Sequence, residues 1–152
     1  MTRIIDISPP ISSATAVWSG DVPFQREVSL STQSGDHMTL SAIRSTLHLG
    51  AHADAPNHYQ IAGESIDQRD LSFYFGPCQV VWVDVARGER IGPEHLPGDL
   101  RAPRILFRTG TFPDPKNWND DFANLSPDLV DTLASHGVRL VGIDTPSIDP
   151  MC

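Results

Sequence analysis

Thirteen prolines are spread along a chain of 152 residues, and they limit the length of every element that the chain can form. Proline fixes one backbone torsion angle and lacks an N–H donor, so it ends helices and is kept out of the interior of sheets. No repeat or low-complexity tract is visible. The length suits one domain with a substantial core. We therefore predict a single domain over residues 1–152, built from short elements.

The hydrophobic pattern predicts an α/β fold with an extra β-rich N-terminal part. One helix is predicted at Pro127–Ser135, because Ser126 suits the N-cap and Gly137 suits the stop. The near-continuous apolar run at 79–85 predicts a strand that is buried on both faces. The predicted apolar stripe of the helix is formed by Leu129, Val130 and Leu133. The predicted strands are 4–8, 27–30, 38–47, 79–85, Arg104–Arg108 and 139–144.

The net charge of −8 and the pI of about 5.0 argue against nucleic acid and anionic membranes as partners. The longest apolar runs, such as residues 78–83, are far too short to span a bilayer. The N-terminus has no extended apolar stretch and no small-residue cleavage site, so we expect a cytoplasmic protein. Of the two cysteines, Cys78 opens an apolar run, and we expect it to be a buried thiol.

Residues 48–58 hold three of the six histidines and one aspartate, which is a usual ligand set for Zn²⁺, Mn²⁺ or Fe²⁺. His48 and His52 would lie roughly 13 Å apart on an extended chain, so they share an ion only if the chain turns between them. Gly50 stands where such a turn needs conformational freedom. His52 and Asp54 are two residues apart and face the same side of an extended backbone. We predict a metal site at His48, His52 and Asp54.

One alternative reading of these residues is excluded, and three stay open. The helical metalloprotease motif is excluded, since it needs Glu where Leu49 stands. The histidines could be separately solvated on a polar loop. A non-haem iron(II) oxygenase could combine His52 and Asp54 with His95 or His136. A metal-binding module without catalysis is the remaining possibility.

The segment His-Leu-Gly-Ala-His-Ala-Asp-Ala-Pro at 48–56 resembles the His-x-Gly-Thr-His-x-Asp-x-Pro signature of the cyclase-like metal-dependent hydrolases. With Ala51 in place of Thr, and with the following His58 and Tyr59, it is most similar to the bacterial kynurenine formamidases (arylformamidases). Further similar segments bring the resemblance to essentially the whole chain. They are residues 5–11, 17–21, 106–110 and 141–147.

This resemblance implies hydrolysis of N-formyl-L-kynurenine to L-kynurenine and formate, a step of tryptophan breakdown. It implies that His48, His52 and Asp54 are metal ligands and that Asp54 bridges two ions. Zinc is the expected metal, and manganese is the alternative. It assigns proton transfer to His58 and substrate contact to Trp18, which lies in a Pro/Gly-flanked loop where an aromatic suits ring stacking. From the residues alone, His58 could also be a fourth ligand or a hydrogen-bond partner of a ligand, and Trp18 could pack in the core. The implied fold is a compact α/β domain with a β-barrel-like mixed sheet core and flanking helices (the swivelling β/β/α type), usually assembled as a homodimer or a higher oligomer.

Family members are longer and supply a further His and Glu for the second metal, and we find no match for these two residues before Cys152. We therefore expect a C-terminally truncated form that binds at most one ion per chain and hydrolyses formylkynurenine poorly or not at all. Two other positions have no firm role. Asp144 suits a site residue or a loop cap, and Trp118 is expected in a solvated surface loop.

Overall fold

The computed structural model describes residues 3–151. Its backbone divides into two compact units, residues 3–53 with 114–118 and residues 54–113 with 119–151. The prediction of one domain over residues 1–152 stays a prediction. None of the helices in the described part of the chain is long and apolar enough to cross a membrane.

The first unit contains an antiparallel hairpin of β1 (Gln25–Leu30) and β2 (Leu40–Arg44). Both strands were predicted, although β2 is shorter than the predicted range 38–47. It ends early because the Thr46 backbone N–H donates to the Val22 carbonyl (2.9 Å), which turns the chain. The predicted strand at 4–8 is wrong: these residues pair with no strand of the described chain, and Ile4 is 93% exposed.

The second unit is built on a three-stranded parallel sheet. Its strands are β3 (Gln79–Trp82), β5 (Arg104–Arg108) and β7 (Leu140–Ile143), in the order β3–β5–β7. Two very short strands, β4 (Arg90–Ile91) and β6 (Asn124–Leu125), form a separate parallel pair that the sequence pattern did not indicate. The described residues place an α-helix beside these sheets, and the α/β class is confirmed.

The helix α1 (Pro127–Ser135) has the predicted bounds. The Ser126 hydroxyl accepts from the Leu129 N–H (3.1 Å), and Gly137 follows with φ of +76°, as the C-terminal stop requires. Leu129 and Leu133 are buried, but Val130 is 41% exposed, so the predicted three-residue stripe is wrong at Val130. Residues four apart share a helix face, whereas the next residue is turned away by about 100°.

The core of the second unit lies between α1 and one face of the parallel sheet. It consists of Val81, Val83, Ile91, Ile105, Phe107, Leu125, Leu129 and Leu133. The other face of β3 is open, with Val80 and Trp82 exposed, so the prediction of a strand buried on both faces is wrong. Cys78 is a free thiol that is exposed rather than buried, because it lies just before this strand.

The carboxyl ends of β5 and β7 are joined through Asp144. Its carboxylate accepts from the N–H groups of Thr109 (2.9 Å) and Gly110 (2.8 Å) and from the Thr109 hydroxyl (2.8 Å). Gly110 has φ of +69°, which places its N–H toward this acceptor. Of the two roles that the sequence left open, Asp144 takes that of a loop cap.

Candidate metal centre

The predicted metal-binding segment has two buried apolar side chains, Leu49 and Ala55, whereas Ala51 and Ala53 are exposed like its ionisable side chains. Leu49 and Ala55 are each only 7% exposed and fix the backbone near both ends of the segment. The side chains of His48, His52, Asp54 and His58 are exposed. The apolar neighbours therefore hold the segment in place while the imidazoles and the carboxylate stay accessible to a dissolved ion.

The turn expected between His48 and His52 is present at Gly50, whose φ is +62°. The His52 Nδ1 atom lies 2.9 Å from the Gly50 carbonyl oxygen. A carbonyl can only accept, so Nδ1 carries the proton and the neutral ring has its lone pair on Nε2. Imidazole ligands of metals commonly make this kind of hydrogen bond to a backbone carbonyl. The turn also brings the rings of His48 and His52 to a centroid distance of 5.1 Å.

Gly50→Ala is expected to weaken metal binding and to destabilise the fold. A side chain at φ of +62° costs about 1–2 kcal/mol, and the added Cβ would lie 3.3 Å from the Ile11 side chain. Gly98→Ala is the matched control, because a Cβ there meets nothing within 4 Å. Thermal unfolding and zinc titration of both variants provide the measurement. Equal zinc affinity in the Gly50 and Gly98 variants would show that the turn does not position the histidines.

His58 is positioned by the short 3-10 helix Pro56–His58. The His58 N–H donates to the Ala55 carbonyl (2.9 Å), and the Asn57 N–H donates to the Glu64 carbonyl (3.1 Å). Gly63 lies against this turn so closely that a Cβ there would come within 2.5 Å of the Pro56 carbonyl carbon. The returning loop thus clamps the turn that carries His58.

Along this continuous stretch, His48, Asp54 and His58 each offer a ring nitrogen or carboxylate oxygen, and these atoms lie within 4.8 Å of one another. Two imidazoles and a carboxylate are a donor set that suits Zn²⁺, Mn²⁺ or Fe²⁺. The residues present therefore fit a divalent ion. The structure brings together two of the three predicted ligands, and it adds His58, the predicted proton-transfer residue, in place of His52.

The two histidines of the oxygenase alternative do not join this group. The His95 Nδ1 lies 3.0 Å from the Gly92 backbone N–H within its own short turn. The His136 Nδ1 lies 2.8 Å from the Thr132 carbonyl at the end of α1. Both rings are thus engaged in local capping contacts.

Asp21 is a residue near this site to which the sequence assigned no role. Its N–H donates to the Trp18 carbonyl (3.0 Å) across a turn in which Gly20 has φ of +86°. A hydrogen bond with the Thr46 side chain, together with the Val22 N–H and the nearby His48, lowers the pKa of the Asp21 carboxyl. Asp21 belongs to the motif at 17–21. Its nearness to His48 could not be predicted, because no sequence spacing relates that motif to residue 48.

Trp18 packs edge to face against Trp118, with ring centroids 5.6 Å apart and planes at 74°. Both side chains are half-buried. Trp118 lies in a loop, as expected, but it is half-buried rather than fully solvated, because the indole of Trp18 covers part of it. About a hundred residues separate the two tryptophans, and no local pattern could have paired them.

Tyr59 follows His58 directly, and their rings are 4.6 Å apart. Partial burial and the neighbouring Asp149 carboxylate raise the pKa of Tyr59 to about 12. The phenol hydroxyl donates to Asp149, since an ionised carboxylate can only accept. Tyr59 therefore carries a proton at every physiological pH.

An α/β fold that presents two imidazoles and a carboxylate along one exposed segment defines a candidate divalent-metal protein. Residues 5–150 match the model of the family described as "Putative cyclase". The chain belongs to this cyclase family, which agrees with the wider resemblance of residues 48–56.

Solved structures with similar folds support the α/β architecture. One, described as a potential metal-dependent hydrolase with cyclase activity, has a TM-score of 0.78 at 23% identity, and the match covers 97% of this chain and 70% of the other. A second, described as a predicted metal-dependent hydrolase from Bacillus stearothermophilus, has a TM-score of 0.76 at 23% identity, with 97% and 71% covered. A third, described as a novel cyclase, has a TM-score of 0.63 at 15% identity, with 91% and 63% covered.

Proposed function

We propose that this chain is a metal-dependent amide hydrolase that converts N-formyl-L-kynurenine to L-kynurenine and formate. The observation that carries the proposal is the group of His48, Asp54 and His58, whose donor atoms lie within 4.8 Å of one another. Membership of the cyclase family supports it. So does the likeness of the fold to proteins described as metal-dependent hydrolases. The amino-acid sequence of residues 48–59 suggests the formamidase branch of the family.

His48, His52 and Asp54 are the proposed ligands, with zinc as the proposed ion. His48 and Asp54 belong to the group of donor atoms above, whereas His52 is proposed from the signature at 48–56. His52 would bind through Nε2, because its Nδ1–H is held by the Gly50 carbonyl. When bound, a divalent ion favours deprotonation of water near neutral pH and polarises a carbonyl group. All these side chains are exposed, so a dissolved ion can reach them.

His58 is the proposed proton carrier of the reaction. Hydrolysis adds water across the formyl C–N bond, so the carbon gains an oxygen, the C–N bond breaks and the leaving aryl amine needs a proton at nitrogen. Imidazole can accept a proton from water and donate it to the amine near neutral pH. The His58 ring atom lies close enough to the Asp54 and His48 donors to serve a substrate held there.

Trp18→Ala is expected to raise KM several-fold while leaving kcat and the bound metal nearly unchanged. The reason is that an indole stacked on the aryl ring contributes binding in the ground state and the transition state alike. Steady-state kinetics with zinc analysis of the same preparation provide the measurement. Loss of folded structure by circular dichroism would instead place Trp18 in the core.

Incubation of the zinc-loaded chain with N-formyl-L-kynurenine tests the function. We expect slow release of kynurenine, followed by its absorbance, and of formate in equal amounts, because the chain is expected to bind at most one ion. We expect neither product after chelation. Manganese-loaded protein is assayed in parallel. No kynurenine from either metal form would overturn the proposal. Oxygen consumption by iron-loaded protein, measured with an oxygen electrode, would indicate the oxygenase in its place.

A further inference from the structure

We propose that a groove beside α1 binds a small organic cation in which an ammonium group is carried on an apolar body. The groove has a volume of about 320 Å³, and ligand pockets start at roughly 300 Å³. Every residue that lines it belongs to the second unit. The inference goes beyond the proposed function, because it assigns a second ligand whose binding does not depend on hydrolysis.

The apolar part of the lining comes from four residues, which are Leu125, Pro127, Val130 and Ile148. Leu125 lies in β6, and its N–H donates to the Ile148 carbonyl (2.9 Å), so these two parts of the lining are tied together. Val130 belongs to α1, but it is 41% exposed and stays outside the core. It therefore presents apolar surface that a ligand can cover, and such burial favours binding.

The polar part of the lining is acidic. Asp131 and Asp149 are exposed, and Tyr59 donates its phenol hydroxyl to Asp149. A carboxylate offers about four lone-pair sites, so Asp149 can accept further hydrogen bonds. No lysine, arginine or histidine is among the described residues that line the groove. Two carboxylates in such a lining, on a chain of net charge −8, favour a cation over an anion.

The two parts of the lining together select the kind of cation. A dissolved metal ion would gain nothing from the four apolar side chains, whereas an organic cation can cover them. An ammonium group has three N–H donors and no acceptor, which suits carboxylate partners. Exposed ion pairs are worth little by themselves. We therefore expect the groove to bind molecules that combine an ammonium group with an apolar chain.

The groove is a neighbour of the candidate metal centre and shares no residue with it. Tyr59 lines the groove, and its ring lies 4.6 Å from the ring of His58. The donor group of His48, Asp54 and His58 contributes nothing to the lining. Binding can therefore be measured on the metal-free chain, in which an amine has no metal ion to coordinate.

Three six-carbon compounds test the groove on the metal-free chain at pH 7. Hexylamine, hexanol and hexanoate share the apolar chain and differ in the head group, which is an ammonium, a hydroxyl or a carboxylate. Dissociation constants are measured by ligand-observed NMR at one low salt concentration, because salt screens exposed charges. We expect the wild-type protein to bind hexylamine about 3- to 10-fold more tightly than hexanol. We expect hexanoate to bind most weakly.

Asp131→Asn and Asp149→Asn are each expected to lower the affinity for hexylamine toward that for hexanol, while the affinity for hexanol stays nearly unchanged. Asp128→Asn is the matched control, since it removes the same charge from an exposed residue in the first turn of α1 that does not line the groove. Circular dichroism checks that each variant is folded, and if Asp149→Asn is not, Asp131→Asn alone decides.

Equal affinity of the wild-type protein for hexylamine and hexanol would overturn the inference. So would a loss of hexylamine affinity in Asp128→Asn as large as the loss in the folded variants of the groove.

Discussion

Asp54→Asn is expected to remove the bound divalent ion and, with it, the amide hydrolase activity. The carboxylate is the one anionic member of the group with His48 and His58. The asparagine side chain has nearly the same shape as aspartate but lacks the negative charge that balances a divalent cation. Because changes to residues that merely support metal ligands already cost 10–100-fold in affinity, we expect more than about 100-fold here.

Zinc content after dialysis and the rate of kynurenine release provide the measurement for Asp54→Asn. Asp84→Asn is the matched control, since it removes the same charge from an exposed residue outside the group. Unchanged zinc content in the Asp54 variant would remove this residue from the ligand set. A fall in zinc content in both variants would indicate a general effect of net charge.

The second large effect is expected for His58→Gln, with kcat falling about 10²–10⁴-fold while zinc is retained. That range is typical for loss of a general acid–base group. His37→Gln, in the exposed connection between β1 and β2, is the matched control. Kinetics and zinc analysis on the same preparation distinguish a proton carrier from a metal ligand, which are the two roles that the geometry allows for His58. Loss of zinc together with activity would make His58 a ligand, and His52→Gln would then be expected to retain zinc.

What could be predicted from the sequence was governed by local contacts. The helix α1 has its expected bounds because the Ser126 cap and the Gly137 stop act on their immediate neighbours. The turn at Gly50 and the loop before Pro56 follow from the same local chemistry. The family could also be predicted, since residues 48–56 form a short and specific sequence motif.

What could not be predicted depends on partners that are distant in the chain. Residues 4–8 have the composition of a strand but no neighbour to pair with in the described chain. The run at 79–85 gives no sign that only one face of β3 is covered. Trp118 gains its contact with Trp18 through tertiary packing alone. The place of His58 in the donor group depends on a 3-10 turn that Gly63 clamps from outside.

Cobalt(II) titration of the zinc-free chain tests most directly whether residues 48–58 hold a divalent ion. Cobalt bound by nitrogen and oxygen ligands gives visible absorption bands that report its coordination. We predict that these bands saturate at one ion per chain, disappear on addition of zinc, and are absent from His48→Gln and Asp54→Asn. Bands of equal intensity in the wild-type protein and in both variants, or no bands in the wild-type protein, would contradict a metal centre at this segment.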